Sequence, residues 1–169
     1  MLKAVLLVAG AAGCVVIGWL MSTRLRTRSV ALEAVLHAHK AVEIQLEYTM
    51  KPAVEVMAHV KEIELRCHGL FAGAELGLQR GLSFEEAWKK ALYEVKTLYC
   101  FEDSDINALM RFGSGFGKTD LEGQKKLLKL VLAQVQDLAA GAREEYAKKA
   151  GVYVRLGVLG GIALFVFFI

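Results

Sequence analysis

AVLLVAGAAGCVVIGWLMST at residues 4–23 and VYVRLGVLGGIALFVFFI at residues 152–169 decide the architecture of this chain. The first run holds no charged residue, and the second holds one, Arg155, near its start. A bilayer core is roughly 30 Å thick, and about 20 apolar helical residues cross it. Residues 4–23 reach that length. The second run, at about 1.5 Å per residue, spans about 27 Å, which is short but sufficient. All 18 acidic residues, and every one of the 21 basic residues except Lys3 and Arg155, lie between the two runs. Two apolar ends around a polar middle predict a two-span membrane protein with one domain in its loop.

The loop, from Arg24 to Gly151, keeps about 128 residues, enough for one domain with its own core. The expected division is a span over 4–23, a helical domain over 24–150 and a span over 151–169. The loop charge is 19 − 18 = +1. A pI of 8.7 therefore does not point to nucleic acid, since no basic stripe is interleaved with aromatics. Cys14 falls in the first apolar run. Cys67 and Cys100 form no CxxC and read as reduced core thiols.

Orientation follows from the basic residues beside the spans. Arg24, Arg26 and Arg28 follow the first, while Lys148, Lys149 and Arg155 precede or open the second. The positive-inside rule then places the loop in the cytoplasm, and Arg155 snorkels to the inner interface. A cleaved signal peptide is the competing reading, because Ala11-Ala12-Gly13-Cys14 resembles a lipoprotein box. Ala11 stands where such boxes usually carry Leu, and the apolar run continues for nine residues past Cys14. Both features oppose cleavage.

The loop reads as all helix, with Pro52 its one proline. Leu32, Leu36, His39, Val42, Leu46 and Thr49 form one face of a first helix running through Ser29 to Lys51. Pro52 suits the first position of a second helix, whose face continues through Val54, Met57 and Val60. Gly69, Gly73 and Gly77 punctuate a shorter segment, Leu70 to Gln79, which Gly81 closes. Ser83-Phe84-Glu85-Glu86 is a capping box. It opens a helix burying Phe84, Ala87, Trp88, Ala91, Leu92 and Val95. Asp103-Ser104-Asp105 caps the next, through Ile106, Leu109, Met110 and Phe112. Thr119 or Asp120 caps the last, whose stripe is Leu121, Leu128, Val131, Val135, Leu138, Ala142 and Tyr146. No strong breaker separates this stripe from the second span. One helix of about fifty residues, roughly 75 Å long, is expected there. The fold class is all-α: an antiparallel helical bundle between two terminal transmembrane helices.

Gly113-Ser114-Gly115-Phe116-Gly117-Lys118-Thr119 resembles a phosphate-binding loop but is one residue short, with Phe112 where the first glycine belongs. No strand precedes it. The glycines instead suit a tight helix-to-helix turn that needs positive φ or close backbone approach. His37 and His39 point to different sides of a helix, no HExxH exists, and Cys67-His68 lack partners at zinc spacing. No nucleophile elbow appears. Neither metal, cofactor nor catalysis is expected. In the spans, Gly157 with Gly161, and Gly10, Cys14 and Gly18, carry small-xxx-small spacing. These five are the expected transmembrane packing residues.

Phe112-Gly113-x-Gly115-x-Gly117-x-x-Asp120, followed by Gln124, is the most specific signature of the chain. With Arg28, Glu43, Tyr48 and Pro52 upstream, and Tyr153 and Leu156-Gly157-x-Leu159-Gly160-Gly161 downstream, the chain resembles the stage III sporulation protein AB family of endospore-forming bacteria. The resemblance covers the whole chain. One departure is Phe116-Gly117 in place of Leu-Gly.

The resemblance implies a fold similar to the F-protein domain of type II secretion and type IV pilus platforms. It implies a place in the mother-cell membrane facing the forespore, within the channel complex between the two cells. The cytoplasmic bundle would dock a secretion-type ATPase beside other membrane subunits, and homo-oligomers fit the same scheme. Gly113, Gly115 and Gly117 would shape the turn, Asp120 would cap the last helix, and Gln124 would fix the turn by hydrogen bonding, with a partner contact at the same place. The long last helix would carry small rotations of the domain into the spans. The rival readings are a membrane-anchored nucleotide-binding enzyme built on Gly117-Lys118-Thr119 and a self-assembling membrane pore or scaffold without an ATPase partner.

Overall fold

The computed structural model describes residues 2–48, 53–116 and 121–168. Six α-helices follow one another: α1 (Leu2–Tyr48), α2 (Ala53–Ile63), α3 (His68–Gln79), α4 (Phe84–Val95), α5 (Asp103–Gly115) and α6 (Leu121–Phe168). A single 3₁₀ turn, Leu65–Cys67, leads into α3. No strand occurs among the described residues. The chain divides into two compact units: Met1–Ser29 with Gly141–Ile169, and Val30–Ala140.

The second unit is the bundle. The α1 face there is wider than one stripe. Ala31, Leu32, Ala34, Val35, Ala38, His39 and Val42 are all buried, while Leu36 is half-buried. Leu46, Thr49, Lys51 and Pro52 lie outside the residues whose side chains are described. On α2, Met57 and Val60 are buried with Val56, and Val54 is half-buried.

The α3 segment, expected from Leu70 to Gln79, begins two residues earlier, at His68, and takes in Gly69 as well as Gly73 and Gly77. These glycines are contact points. A Cβ at Gly69 would meet Val95 at 3.6 Å, one at Gly73 would meet the Ala91 Cβ at 3.1 Å, and one at Gly77 the Ala87 Cβ at 2.6 Å. As the α3 residue number rises, its α4 partner falls, so the two helices run in opposite directions at close range.

Gly81 does end α3, with φ +85°. Its N–H bonds the Leu78 carbonyl at 3.0 Å, and the Leu82 N–H bonds that of Gly77 at 3.1 Å, the paired bonds of a Schellman cap. The Ser83–Glu86 box opens α4. Ser83 Oγ accepts from the Glu86 N–H at 3.3 Å, and the Glu86 carboxylate accepts from the Ser83 N–H at 3.1 Å. Ala87, Trp88, Ala91, Leu92 and Val95 are buried, and Phe84 is half-buried.

On α5 the cap falls one residue earlier than the aspartates suggested. Glu102 occupies the N-cap, and the fully buried Asp105 accepts the Glu102 N–H at 2.8 Å. On α6, Leu128, Val131, Val135, Ala139 and Ala142 are buried, whereas Leu138 and Tyr146 are half-buried. A helix of 3.6 residues per turn drifts off a strict heptad by about 20° per repeat, which moves the buried position from 138 to 139.

In the first unit, α1 and α6 each contain a window long and apolar enough to cross a membrane, with mean hydropathy 1.5 and 1.9. Only 6% and 11% of those windows are buried within the protein. A core helix of a soluble protein would be mostly buried, so both segments are candidate membrane spans.

Candidate functional site

Two places carry the residues singled out by the sequence. The first is the end of α5. Gly113 and Gly115 lie within the helix, and neither has positive φ, which among described glycines belongs to Gly81 alone. What they supply is closeness. A Cβ on Gly113 would stand 2.4 Å from Trp88 Cδ1, and one on Gly115 would stand 2.4 Å from Leu127 Cδ2. Trp88 cannot yield easily, because its Nε1–H donates to the Leu109 carbonyl at 2.8 Å. Phe116 follows in extended conformation, its N–H on the Phe112 carbonyl at 3.0 Å. Gly117 and Asp120 lie outside the described residues, as do Lys118 and Thr119. Gln124 is half-buried in the first turn of α6.

Phe116, the departure from the family pattern, packs inside. Its ring lies 4.6 Å from Phe84 and 4.8 Å from Phe112, centroid to centroid. Behind it, His39 is fully buried with Phe112 at 4.7 Å, Trp88 at 6.0 Å and Phe71 at 6.3 Å, all edge-on. His39 Nδ1 is 2.9 Å from the Val35 carbonyl, and Nε2 has no partner. With the proton on Nδ1 the ring is neutral, and Nε2 is an acceptor among aromatic edges. Burial pushes its pKa down to about 4, only partly opposed by the Val35 hydrogen bond. The histidine is a core residue. Cys67 is likewise buried, with its thiol pushed up to about 12 by burial, so it is inert. Cys100 is not a core thiol: it is half-exposed, in the turn after α4.

Elsewhere on the bundle, α5 and α6 frame a cleft of about 300 Å³. Asn107 and Arg111 line one wall, Gln134 and Asp137 the other, with Ala108 and Leu138 between them.

The second place is the span pair. Gly18 is buried, and a Cβ there would lie 2.4 Å from the Tyr153 carbonyl oxygen and 3.2 Å from the Gly157 Cα. Gly157 would meet the Cys14 carbonyl oxygen at 2.7 Å, and Gly161 that of Ala11 at 3.0 Å. Gly10 is looser, with Leu164 Cδ1 at 4.0 Å its nearest neighbour. Tyr153 and Ala11, which carry two of these contacts, were not among the expected packing residues. Just beyond the apolar runs, Arg28 Nη1 pairs with Glu145 Oε2 at 3.2 Å. No periodicity marks Glu145 as the partner.

An all-α chain with a helical core domain and two apolar terminal helices that are candidate spans is of the class of membrane-associated helical proteins. The sequence pattern of the stage III sporulation protein AB family matches residues 3–169, and the chain belongs to that family. It is 26% identical over 129 residues to stage III sporulation protein AB of Bacillus subtilis (strain 168), covering 75% of each chain. A solved structure of stage III sporulation protein AB superposes with a TM-score of 0.65 at 22% identity, over 71% of this chain and 96% of that one. That likeness shows the fold. Family and apolar helices together make this a membrane-associated protein of sporulation.

Proposed function

We propose that the chain is a non-catalytic platform subunit of the mother-cell-to-forespore channel, docking a secretion-type ATPase through its cytoplasmic helical domain. The observation that carries this reading is the family match from residue 3 to residue 169, which takes in both apolar ends and the bundle. The basic residues Arg24, Arg26, Lys148 and Lys149 beside the apolar runs favour a cytoplasmic bundle. In this reading the antiparallel bundle, resembling the F-protein domain of secretion platforms, offers the α5 end at Gly113 and Gly115 and the cleft lined by Arg111 and Asp137 as contact surfaces. Gly18, Gly157, Gly161 and Cys14 hold the spans together, and Gly10 lines the same side. The roles expected of Asp120 as a helix cap and of Gln124 in the turn complete this reading; Asp120 lies outside the described residues.

The test uses the full chain in detergent or nanodiscs, titrated with the purified secretion-type ATPase of the same complex. Saturable binding weakened by Arg111→Glu or Asp137→Lys supports docking. A folded chain that ignores the ATPase at micromolar concentration overturns it.

A further inference from the structure

The glycine contacts fix which residues of the two apolar helices stand level. Gly18 meets Tyr153, Cys14 meets Gly157, Ala11 meets Gly161, and Gly10 meets Leu164. The helices are therefore antiparallel, and Arg155 falls between the first two of these contacts. That level lies about seven residues, or 10 Å, inside the end of the charge-free run at Thr23. Both helices are candidate membrane spans, and a charge at that depth in a bilayer is costly unless it reaches a polar partner. Arg155 is exposed and has no hydrogen bond or ion pair among the described residues.

One turn further along α6 begins an apolar groove of about 410 Å³. Val8, Ala12 and Val15 of α1 form one wall, Val158, Ile162 and Phe165 of α6 the other, and no lining residue is polar. Trp19 and Arg26 continue the α1 face at helical spacing. Both are exposed, and Arg26, like Arg155, has no partner among the described residues. Cα–Cβ bonds tilt toward the N-terminus of their helix. In antiparallel helices this leans Arg26 toward the groove and Arg155 toward the loop, so the two cations approach a common level. Glu144 and Glu145 are the only acidic side chains of this unit. Glu144 accepts from Lys148, and Glu145 accepts from Arg28 and Lys149. The end of the groove is left with two cations and no free carboxylate.

We propose that the groove is a binding site for an anionic phospholipid, with an acyl chain between Val15 and Val158 and the phosphate between Arg155 and Arg26. Basic residues beside a membrane span attract anionic headgroups in this way. A zwitterionic headgroup fits less well, because its ammonium would find no free acidic side chain. A second apolar helix would fill the groove but leave both cations unpaired.

Trp19 supplies a reporter on the groove face, since Trp88, the other tryptophan, is buried in the bundle. The experiment takes the full chain in nanodiscs of phosphatidylcholine and phosphatidylglycerol, with bromine on the acyl chains of one lipid or the other, and reads the quenching of tryptophan emission. Phosphatidylglycerol is expected beside Trp19 at about fivefold its share of the bilayer, the factor that one basic residue contributes at an anionic surface. Arg155→Gln and Arg26→Gln should each reduce that preference by half or more. Arg24→Gln, on the other side of α1, should leave it unchanged. Ala12→Phe, which fills the groove, should reduce it without touching a charge. Equal quenching by the two brominated lipids, or a preference unmoved by Arg155→Gln, would overturn the site. Trp19 shielded from both lipids, with self-association rising as the chain is made denser in the bilayer, would put a second copy in the groove and overturn it as well.

Discussion

A Cβ on Gly113 would lie 2.4 Å from Cδ1 of Trp88, so the α5 backbone rests directly on the indole. Alanine is the better helix former by about 1 kcal/mol. Here the clash wins, because the Trp88 Nε1–H is committed to the Leu109 carbonyl and the ring is packed by Phe71, Phe84 and Phe112. Gly113→Ala is expected to destabilise the protein by about 1–3 kcal/mol, as over-packing of cores does. A fall in thermal midpoint checks it, with Gly141→Ala, whose Cβ would meet nothing within 4 Å, as the neutral or stabilising control.

His39 makes the bundle acid-sensitive. Its folded pKa is about 4 against an ordinary 6.5, so between those values the unfolded chain binds the proton and the folded one does not. Stability from this group is complete above pH 6.5 and falls as pH drops towards 4, by about 1.4 kcal/mol per pH unit. Urea unfolding at pH 7.5 and 5.5 should show the loss in the native sequence. His39→Phe should flatten it, and an unchanged slope in that variant would assign the sensitivity elsewhere.

Cys100 sits at φ +54°, the left-handed region where a side chain clashes with its own backbone. The strain is tolerated because the turn after α4 closes through it. The Cys100 N–H reaches the Thr97 carbonyl at 3.3 Å, and the Phe101 N–H reaches that of Lys96 at 3.0 Å. Cys100→Gly relieves the clash but adds freedom to the unfolded chain, for a net gain of up to about 1 kcal/mol. Cys100→Val should lose about 1–2 kcal/mol at the same site. Chemical denaturation of the two variants side by side is the check.

In the spans, Gly157→Leu with Gly161→Leu places side chains against the Cys14 and Ala11 backbone oxygens, at 2.7 and 3.0 Å from the added Cβ atoms. A rotamer change cannot relieve a clash at Cβ, so the helices must part. Cys14 should then react several-fold faster with a membrane-permeable maleimide, since close backbone approach at small residues is what shields it. Complex assembly in the membrane should fall with it. Unchanged labelling and assembly would show that the glycines are present for another reason.

Much of this protein was legible in one dimension because the governing effects are local. Charge-free runs marked the two candidate spans, since burying a charge in lipid is costly wherever the chain goes next. Ser83 and Glu86 announced the start of α4 because a capping box closes within four residues. The apolar faces of α1, α4 and α5 followed from helical periodicity. The family signature around Gly113 and Gly115 was visible as well.

Other features depended on partners far along the chain, which no spacing rule reveals. Gly69, Gly73 and Gly77 were visible as a regular spacing, and became a contact surface only because Val95, Ala91 and Ala87 come alongside. Gly113 and Gly115 suggested positive φ or close backbone approach, and it is close approach, to Trp88 and Leu127, that excludes a Cβ. His39 is one histidine among four in the sequence; three aromatic rings and burial made it the acid-sensitive one. Glu145 became the partner of Arg28 across 117 residues of chain. The sequence by itself determined which segments are helical and which surfaces avoid water, because those follow from each residue's own chemistry and its neighbours within a turn. Tertiary structure alone decided which glycines touch and which charges pair, because those depend on distances set only when separate helices pack together.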